Sequence, residues 1–190
     1  NQYIRKNKRE IYSKQDATMR EMATAVALRK SFKKLNIKKS LSFHSSIKRA
    51  QYFEKINNEL NINFKKYPKI QTFHVSSKQS SSERLQEMKS FEMSKTSLMT
   101  NARCLTEGVD MPSIDCVAFI DSKKSKVDIV QAAGRAMRLN KNKKYGYILV
   151  PIITNDEDLS TASVDTEFED LVNVITSLAT QDKRIVDEIK

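Results

Sequence analysis

The chain has 190 residues, 39% of them hydrophobic, and carries 34 Lys and Arg against 23 Asp and Glu for a formal net charge of +11. That length holds one domain with a buried core, and no apolar run approaches the ~18 residues that a membrane-crossing helix needs, which excludes a helical membrane protein. The opening NQYIRKNKRE has neither an initiator Met nor an apolar secretory core, so something is expected to precede it. Cys104 and Cys116 lack metal-ligand spacing and suit a reduced, cytoplasmic setting in which both fill buried positions, with no metal site on the chain.

Taken in order, residues 15–35 read as a helix, with Met22, Ala25, Leu28, Phe32 and Leu35 at three- or four-residue steps. SLSFH, 40–44, is a short strand. Ile47, Ala50, Phe53, Ile56 and Leu60 mark the next helix, opened by the capping candidates Ser45 and Ser46. Residues 70–75 form a second strand. Ser80 and Glu83 then stand at capping-box spacing before a helix carrying Leu85, Met88 and Phe91. Two apolar strands follow at 97–100 and 116–120, a helix at 127–138, a strand at 145–151 and helical periodicity at 167–179. Strand and helix in alternation predict an α/β fold, a mainly parallel sheet covered by helices on both faces. The division expected is a helical linker or flanking helix over 1–35, the α/β lobe over 36–152, and an acidic loop with a helical extension over 153–190. In such sheets ligands bind beyond the carboxyl ends of the strands, so the loops after the first four strands should share one functional rim.

The charge is unevenly placed. Residues 1–150 hold 31 Lys and Arg against 13 Asp and Glu, whereas 151–170 holds seven acids and no base. The basic excess suits a surface that tracks phosphates, and it equally suits a solvated lysine-rich face. Asp156, Glu157 and Asp158 read as a solvated loop. His44 and His74, both at strand ends, are expected to be structural.

VDIVQAAGRAMR, 127–138, is the most informative stretch. On a helix, Gln131, Gly134, Arg135 and Arg138 share one face while Val130, Ala133 and Met137 are free to pack on the sheet. Two arginines on one face repel unless an anion lies near them, and the planar guanidinium suits phosphate oxygens. Gly134 costs on the order of 1 kcal/mol relative to Ala but lets a ligand or another backbone come close. The plainer alternative is an exposed basic face with an incidental glycine.

QAAGRAMR resembles motif VI of superfamily-two helicases, Gln-x-x-Gly-Arg-x-x-Arg. The resemblance implies a RecA-like three-layer sandwich acting as the second lobe of an ATP-dependent motor. Arg135 and Arg138 would be the catalytic arginine fingers that reach across a cleft to ATP, with Gln131 and Gly134 beside the nucleotide. LMTNARCLTEGVDMPSIDCVAFID, 98–121, resembles motif V; it implies that Gly108 and Asp110 lie near the nucleotide and Thr100 and Arg103 near the nucleic-acid backbone. SLSFHSSIKRA, 40–50, resembles motif IV, with Ser45 and Ser46 as phosphate contacts, and HVSS, 74–77, places Ser76 on the same rim. The Leu-Thr-Glu-Gly-Val-Asp run is similar to restriction-type and DNA-repair translocases, which favours DNA over RNA. Two features depart from the RNA helicases of the family: Gln131 stands where many carry His, and the loop between Thr100 and Gly108 is longer.

The chain has three glycines, at 108, 134 and 146, and so lacks a G-x-x-x-x-G-K-[ST] phosphate loop. It also lacks a strand ending in an Asp-Glu box. ATP and Mg²⁺ are therefore expected to be held mainly by a first RecA-like lobe of the same polypeptide, and this piece alone is expected to be inactive. A non-catalytic nucleic-acid-binding α/β domain is the alternative reading, and a metabolic α/β enzyme is a more distant one.

Overall fold

The computed structural model describes residues 19–63, 65–102, 113–121, 126–136, 145–151, 169 and 172–176. Helix α1 covers 19–34 and buries Ala25, Leu28 and Phe32, three of the residues whose spacing predicts it. It ends at Asn36, whose φ of 54° is left-handed. The Ile37 amide then reaches back to the Phe32 carbonyl at 3.1 Å, the six-to-one bond of a Schellman turn, and both side chains are buried as that turn favours.

Strand β1 (Lys39–Phe43) is buried along its whole length. Helix α2 (Ile47–Asn63) starts at Ser46, whose hydroxyl accepts the Arg49 amide at 3.2 Å. Strand β2 (Gln71–Ser76) leads to α3 (Ser81–Met93), where the capping box expected from Ser80 and Glu83 is formed in both directions. Strands β3 (Ser97–Ala102) and β4 (Cys116–Phe119), helix α4 (Lys126–Ala136) and strand β5 (Tyr147–Leu149) complete the sheet region. A short helical piece, α5, spans 172–176.

The five strands pair in parallel in the order β2-β3-β1-β4-β5. Alternation along the strands feeds two cores. One face sends Leu41, Phe43, Phe73, Val75, Met99, Val117 and Phe119 against Phe91 of α3, Ile129 and Ala132 of α4, and Val174 of α5. The other sends Leu98, Cys116 and Ala118 against Phe53, Ile56 and Leu60 of α2 and the apolar stripe of α1. Helices thus cover both faces, the three-layer arrangement of an α/β sandwich. Burial pushes the Cys116 thiol up to about 12, so it behaves as a small apolar side chain; Cys104 lies outside the described residues.

Residues 19–34 share the second core, tied down by a buried arginine. Arg29 is fully buried and donates to the Asn61 side chain at 3.0 Å, to the Pro68 carbonyl at 3.3 Å and to the Asn57 carbonyl. Asn61 in turn bridges the Ile70 backbone through both its amide and its carbonyl. A side chain expected at the surface therefore fastens α1 to the end of α2 and the loop before β2.

Candidate functional site

Parallel pairing brings the carboxyl ends of the strands together. Phe43 of β1 stands beside Asn101 of β3 and Phe119 of β4, and Ser76 of β2 stands beside Ala102. The residues just beyond form the rim: His44, Ser45 and Ser46 after β1, and Ile120 and Asp121 after β4.

Asp121 is the hub. One carboxylate oxygen accepts the Ser45 amide at 2.8 Å, the Ser45 hydroxyl at 2.9 Å and the Arg49 Nε at 2.8 Å; the other lies 2.5 Å from the second guanidinium nitrogen. Arg49 also pairs with Glu21 of α1 at 3.3 Å. Burial alone would raise the Asp121 carboxyl, but the Ser45 amide and the Arg49 guanidinium outweigh it and hold the group below the usual carboxylate range. At Glu21 burial prevails and the pKa is raised. Asp121 thus lies at the amino end of α2, where the helix dipole and the Ser45 amide favour an anion.

Beneath the rim, on the α1–α2 face, runs a buried polar row. His44 Nε2 lies 3.0 Å from the Ser42 hydroxyl, and its ring tilts against Phe53 at 5.1 Å. Burial drives its pKa down to about 3, so the imidazole is neutral. In the next strands, the Thr100 hydroxyl donates to the Phe73 carbonyl at 3.3 Å and meets His74 Nδ1 at 2.9 Å. His74 is likewise lowered, chiefly by burial. Both histidines are built into the sheet, as their positions at strand ends lead one to expect.

The residues singled out from sequence are distributed as follows. Ser45 and Ser46 are exposed at the rim, but Ser45 is engaged by Asp121 and Ser46 caps α2. Ser76 and Thr100 are buried, at 2% and 0% exposure, and Thr100 directs its hydroxyl into the sheet. Gln131 is exposed on α4, Gly134 is half-buried, and Arg135 is buried. Gly108, Asp110, Arg103 and Arg138 lie outside the described residues.

The packing face of α4 differs from the one expected. Ala133 is buried as expected, but its buried neighbours are Ile129 and Ala132, whereas Val130 is 40% exposed; Met137 lies outside the described residues. Spacing alone leaves this open, because 129, 132 and 133 form an i, i+3, i+4 set as good as the set that includes Val130. The outward face is then Val130, Gln131 and Gly134, with Arg135 at its buried margin. Among the described residues, a Cβ on Gly134 would meet nothing within 4 Å, so they leave room at this position.

Asp121, Arg49, Glu21 and Arg29 were not legible as site or anchor residues. Arg49 did carry a signal. A cation in the first turn of a helix is disfavoured by the dipole, and α2 has no acid in that turn; an anion supplied from elsewhere resolves the conflict. Among the described residues no group of three His, Cys, Asp or Glu could hold a metal ion, and no helix is long and apolar enough to cross a membrane.

A five-stranded parallel sheet with helices on both faces, α4 lying beside β4 and β5, is a RecA-like α/β architecture. The chain belongs to the helicase conserved C-terminal domain family, which matches residues 21–140 and so takes in α1.

Among curated proteins it is 32% identical over 108 residues to a Saccharomyces cerevisiae protein named as the ATP-dependent helicase IRC3, an alignment covering 53% of this chain and 16% of that one. It is 33% identical over 82 residues to a protein named as helicase 22 of a Sulfolobus islandicus filamentous virus, covering 43% and 15%. The chain therefore spans about a sixth of the length of either relative.

Among solved structures, the ATP-dependent Type ISP restriction-modification enzyme LlaBIII bound to DNA superposes with a TM-score of 0.61 at 30% identity, over 78% of this chain and 10% of that one. A fragment of an HsdR subunit of a type I restriction enzyme from Vibrio vulnificus gives 0.58 at 23% identity, over 69% and 26%. Domain 2 of the DEAD-box helicase Mss116p bound to an RNA duplex gives 0.56 at 17%, over 89% and 74%. The last two speak to the fold.

Proposed function

We propose that this lobe completes, rather than contains, the ATP site of a nucleic-acid motor. ATP and Mg²⁺ would be held by a first RecA-like lobe of the same polypeptide, and α4 would close over the nucleotide. Arg135 and Arg138 would stabilise charge on the transferring phosphoryl group, a contribution of about 10³ to 10⁵ in rate for arginine fingers in general. Gln131, Gly134, Gly108 and Asp110 would line the nucleotide. The carboxyl-end rim, with Ser45 and Ser46 and with Arg103 from the family likeness, would follow the nucleic-acid backbone, a mode that positions a strand without reading its sequence; Ser76 and Thr100, expected there too, are buried in the sheet and would act only by supporting the rim.

The observation that carries this reading is the outward face of α4: exposed Gln131 and Val130 beside a glycine over which the described residues place no atom within 4 Å of a Cβ. A lone glycine inside a helix costs stability, which a close approach by a second body or a ligand would offset in function. DNA is the favoured substrate, supported by the likeness to a DNA-bound restriction enzyme at 30% identity, and the cytoplasm is the favoured compartment.

The test is ATP hydrolysis by the full polypeptide with and without single- or double-stranded DNA, repeated with Arg138→Ala. A loss of 10³-fold or more in turnover with little change in DNA affinity is expected. Salt-sensitive DNA binding by a polypeptide with no ATPase would instead favour a non-catalytic binding domain.

A further inference from the structure

Among the described residues, most exposed lysines stand away from the carboxyl-end rim. Of the twelve exposed lysines among these residues, seven lie at the amino ends of the strands, the edge opposite the carboxyl-end rim. Lys33, Lys34 and Lys38 precede β1, Lys65, Lys66 and Lys69 precede β2, and Lys95 precedes β3. Only Lys48 and Lys78 sit beside the carboxyl ends of β1 and β2.

Two features draw the seven together. Gln71, Ser97 and Lys39, the first residues of β2, β3 and β1, are register partners, so the segments before them stand side by side across about 10 Å. Buried Arg29 then clamps the Pro68 carbonyl, holding the loop of Lys65, Lys66 and Lys69 against α1 one turn before Lys33. Acids at this edge are fewer, and two are engaged: Asp115 accepts the Lys38 and Lys39 amides at 2.8 and 3.0 Å, and Glu92 accepts the Ser113 hydroxyl at 2.7 Å. Lys39 is no part of the surface, because its ammonium is buried on the Phe91 and Ser94 carbonyls that end α3.

We infer that this amino-edge lysine cluster is a second polyanion-binding surface, which takes the backbone of nucleic acid lying outside the motor groove. Flexible ammonium groups on separate elements suit a regular run of phosphates, which needs charge but no fixed geometry. Duplex DNA presents one negative charge per about 1.7 Å of axis, so a cluster of this width meets several phosphates at once. The cluster would grip nucleic acid whether or not the lobes are closed, since it lies away from α4 and the rim. The inference assumes a nucleic-acid substrate but neither the arginine fingers nor the rim contacts.

The experiment measures duplex-DNA affinity of the 190-residue chain against salt, for Lys65→Glu/Lys66→Glu/Lys69→Glu and for a control, Lys30→Glu/Lys55→Glu/Lys89→Glu, with the same change in net charge. Thermal unfolding checks that both variants remain folded. The cluster variant should lose about 0.9 from the slope of log affinity on log salt for each phosphate contact removed, while the control keeps the parent slope. Equal losses in the two variants would reduce the effect to net charge, and an unchanged slope in the cluster variant would remove the surface; either overturns the inference. So would a cluster that binds polyglutamate while the DNA slope stays unchanged, since an acidic protein segment would then be the partner. ATP hydrolysis lost in Arg138→Ala, together with an unchanged slope in the lysine variant, would leave the motor reading standing and the second surface rejected.

Discussion

Asp121 and Arg49, 72 residues apart, meet through both carboxylate oxygens, at 2.8 Å to Nε and 2.5 Å to the second guanidinium nitrogen. The same carboxylate takes the Ser45 amide and hydroxyl, so one side chain from the end of β4 fixes the β1–α2 turn, the first turn of α2 and, through Glu21, helix α1. An internal carboxylate thereby occupies the anion-favouring end of α2 that the sequence assigns to phosphate. A phosphate reaching Ser45 has to displace or share Asp121.

Removing that carboxylate should therefore act in two opposite directions. Asp121→Asn keeps the shape but loses the charge that faces Arg49, and should cost about 1 to 2 kcal/mol in urea unfolding, less than a fully buried pair because Arg49 is 43% exposed. Single-stranded DNA should bind more tightly to the variant, since Ser45 and Arg49 are released to a phosphate. Weaker DNA binding, with the fold intact, would show that Asp121 positions the turn for its ligand rather than competing with it.

His44 predicts a distinct acid sensitivity. Its folded pKa of about 3 lies below its unfolded value of 6.5, so the unfolded chain takes up the proton first. The stability from keeping this imidazole neutral is complete above pH 6.5 and is lost as pH falls from there towards 3, amounting to about 2 kcal/mol by pH 5. Asp121, depressed from 3.8, adds its own loss only below about pH 4. His44→Gln should flatten the stability curve between pH 6.5 and 5, checked by urea midpoints across that range.

What the sequence discloses and what it hides divide along physical lines. Periodicity places α1, α2 and α3, and the Ser80–Glu83 capping box is found as expected because all its partners are local. Sheet order is not local: β3 enters between β1 and β2, which no window of residues encodes. Asp121 meets Arg49 and Ser45 only once β1 and β4 are paired, and a buried Arg29 contradicts the composition rule that puts arginine outside. On α4 the pattern itself is degenerate, so Ile129 rather than Val130 faces the sheet. The residues of motifs V and VI carry the family likeness, yet Gly108, Asp110 and Arg138 are outside the described residues, so their roles rest on that likeness.

Arg29 provides a stability test of the docked first helix. Arg29→Ala should destabilise by about 3 kcal/mol, through the cavity left by a large buried side chain and the loss of its bonds to Asn61, Pro68 and Asn57. Arg29→Lys should recover only a small part, because one ammonium cannot span the fork of acceptors that the guanidinium reaches. A lysine variant as stable as the parent would mean that charge alone, not the fork, holds α1.

Asn36 offers a gain instead. Its φ of 54° is a conformation that glycine adopts without strain, and it closes the Schellman turn of α1. Asn36→Gly should raise stability by about 0.5 kcal/mol, read as a higher urea midpoint with an unchanged slope. Asn36→Val, β-branched and unable to adopt this φ cheaply, should lower it by 1 kcal/mol or more.

Gly134 separates the needs of the fold from those of the motor. It lies within α4, where the described residues place no atom within 4 Å of a Cβ, so in the isolated lobe Gly134→Ala removes backbone entropy from the unfolded chain without a clash against them and should stabilise by up to about 1 kcal/mol. In the full polypeptide the same methyl points into the space where the nucleotide and the first lobe are proposed to close, and Gly134→Leu extends it further. Turnover should then fall progressively from Gly to Ala to Leu while the lobe's unfolding midpoint stays at or above that of the parent. A stabilised lobe with undiminished ATP hydrolysis in both variants would mean that nothing approaches this face, and the closure of α4 over ATP would have to be abandoned.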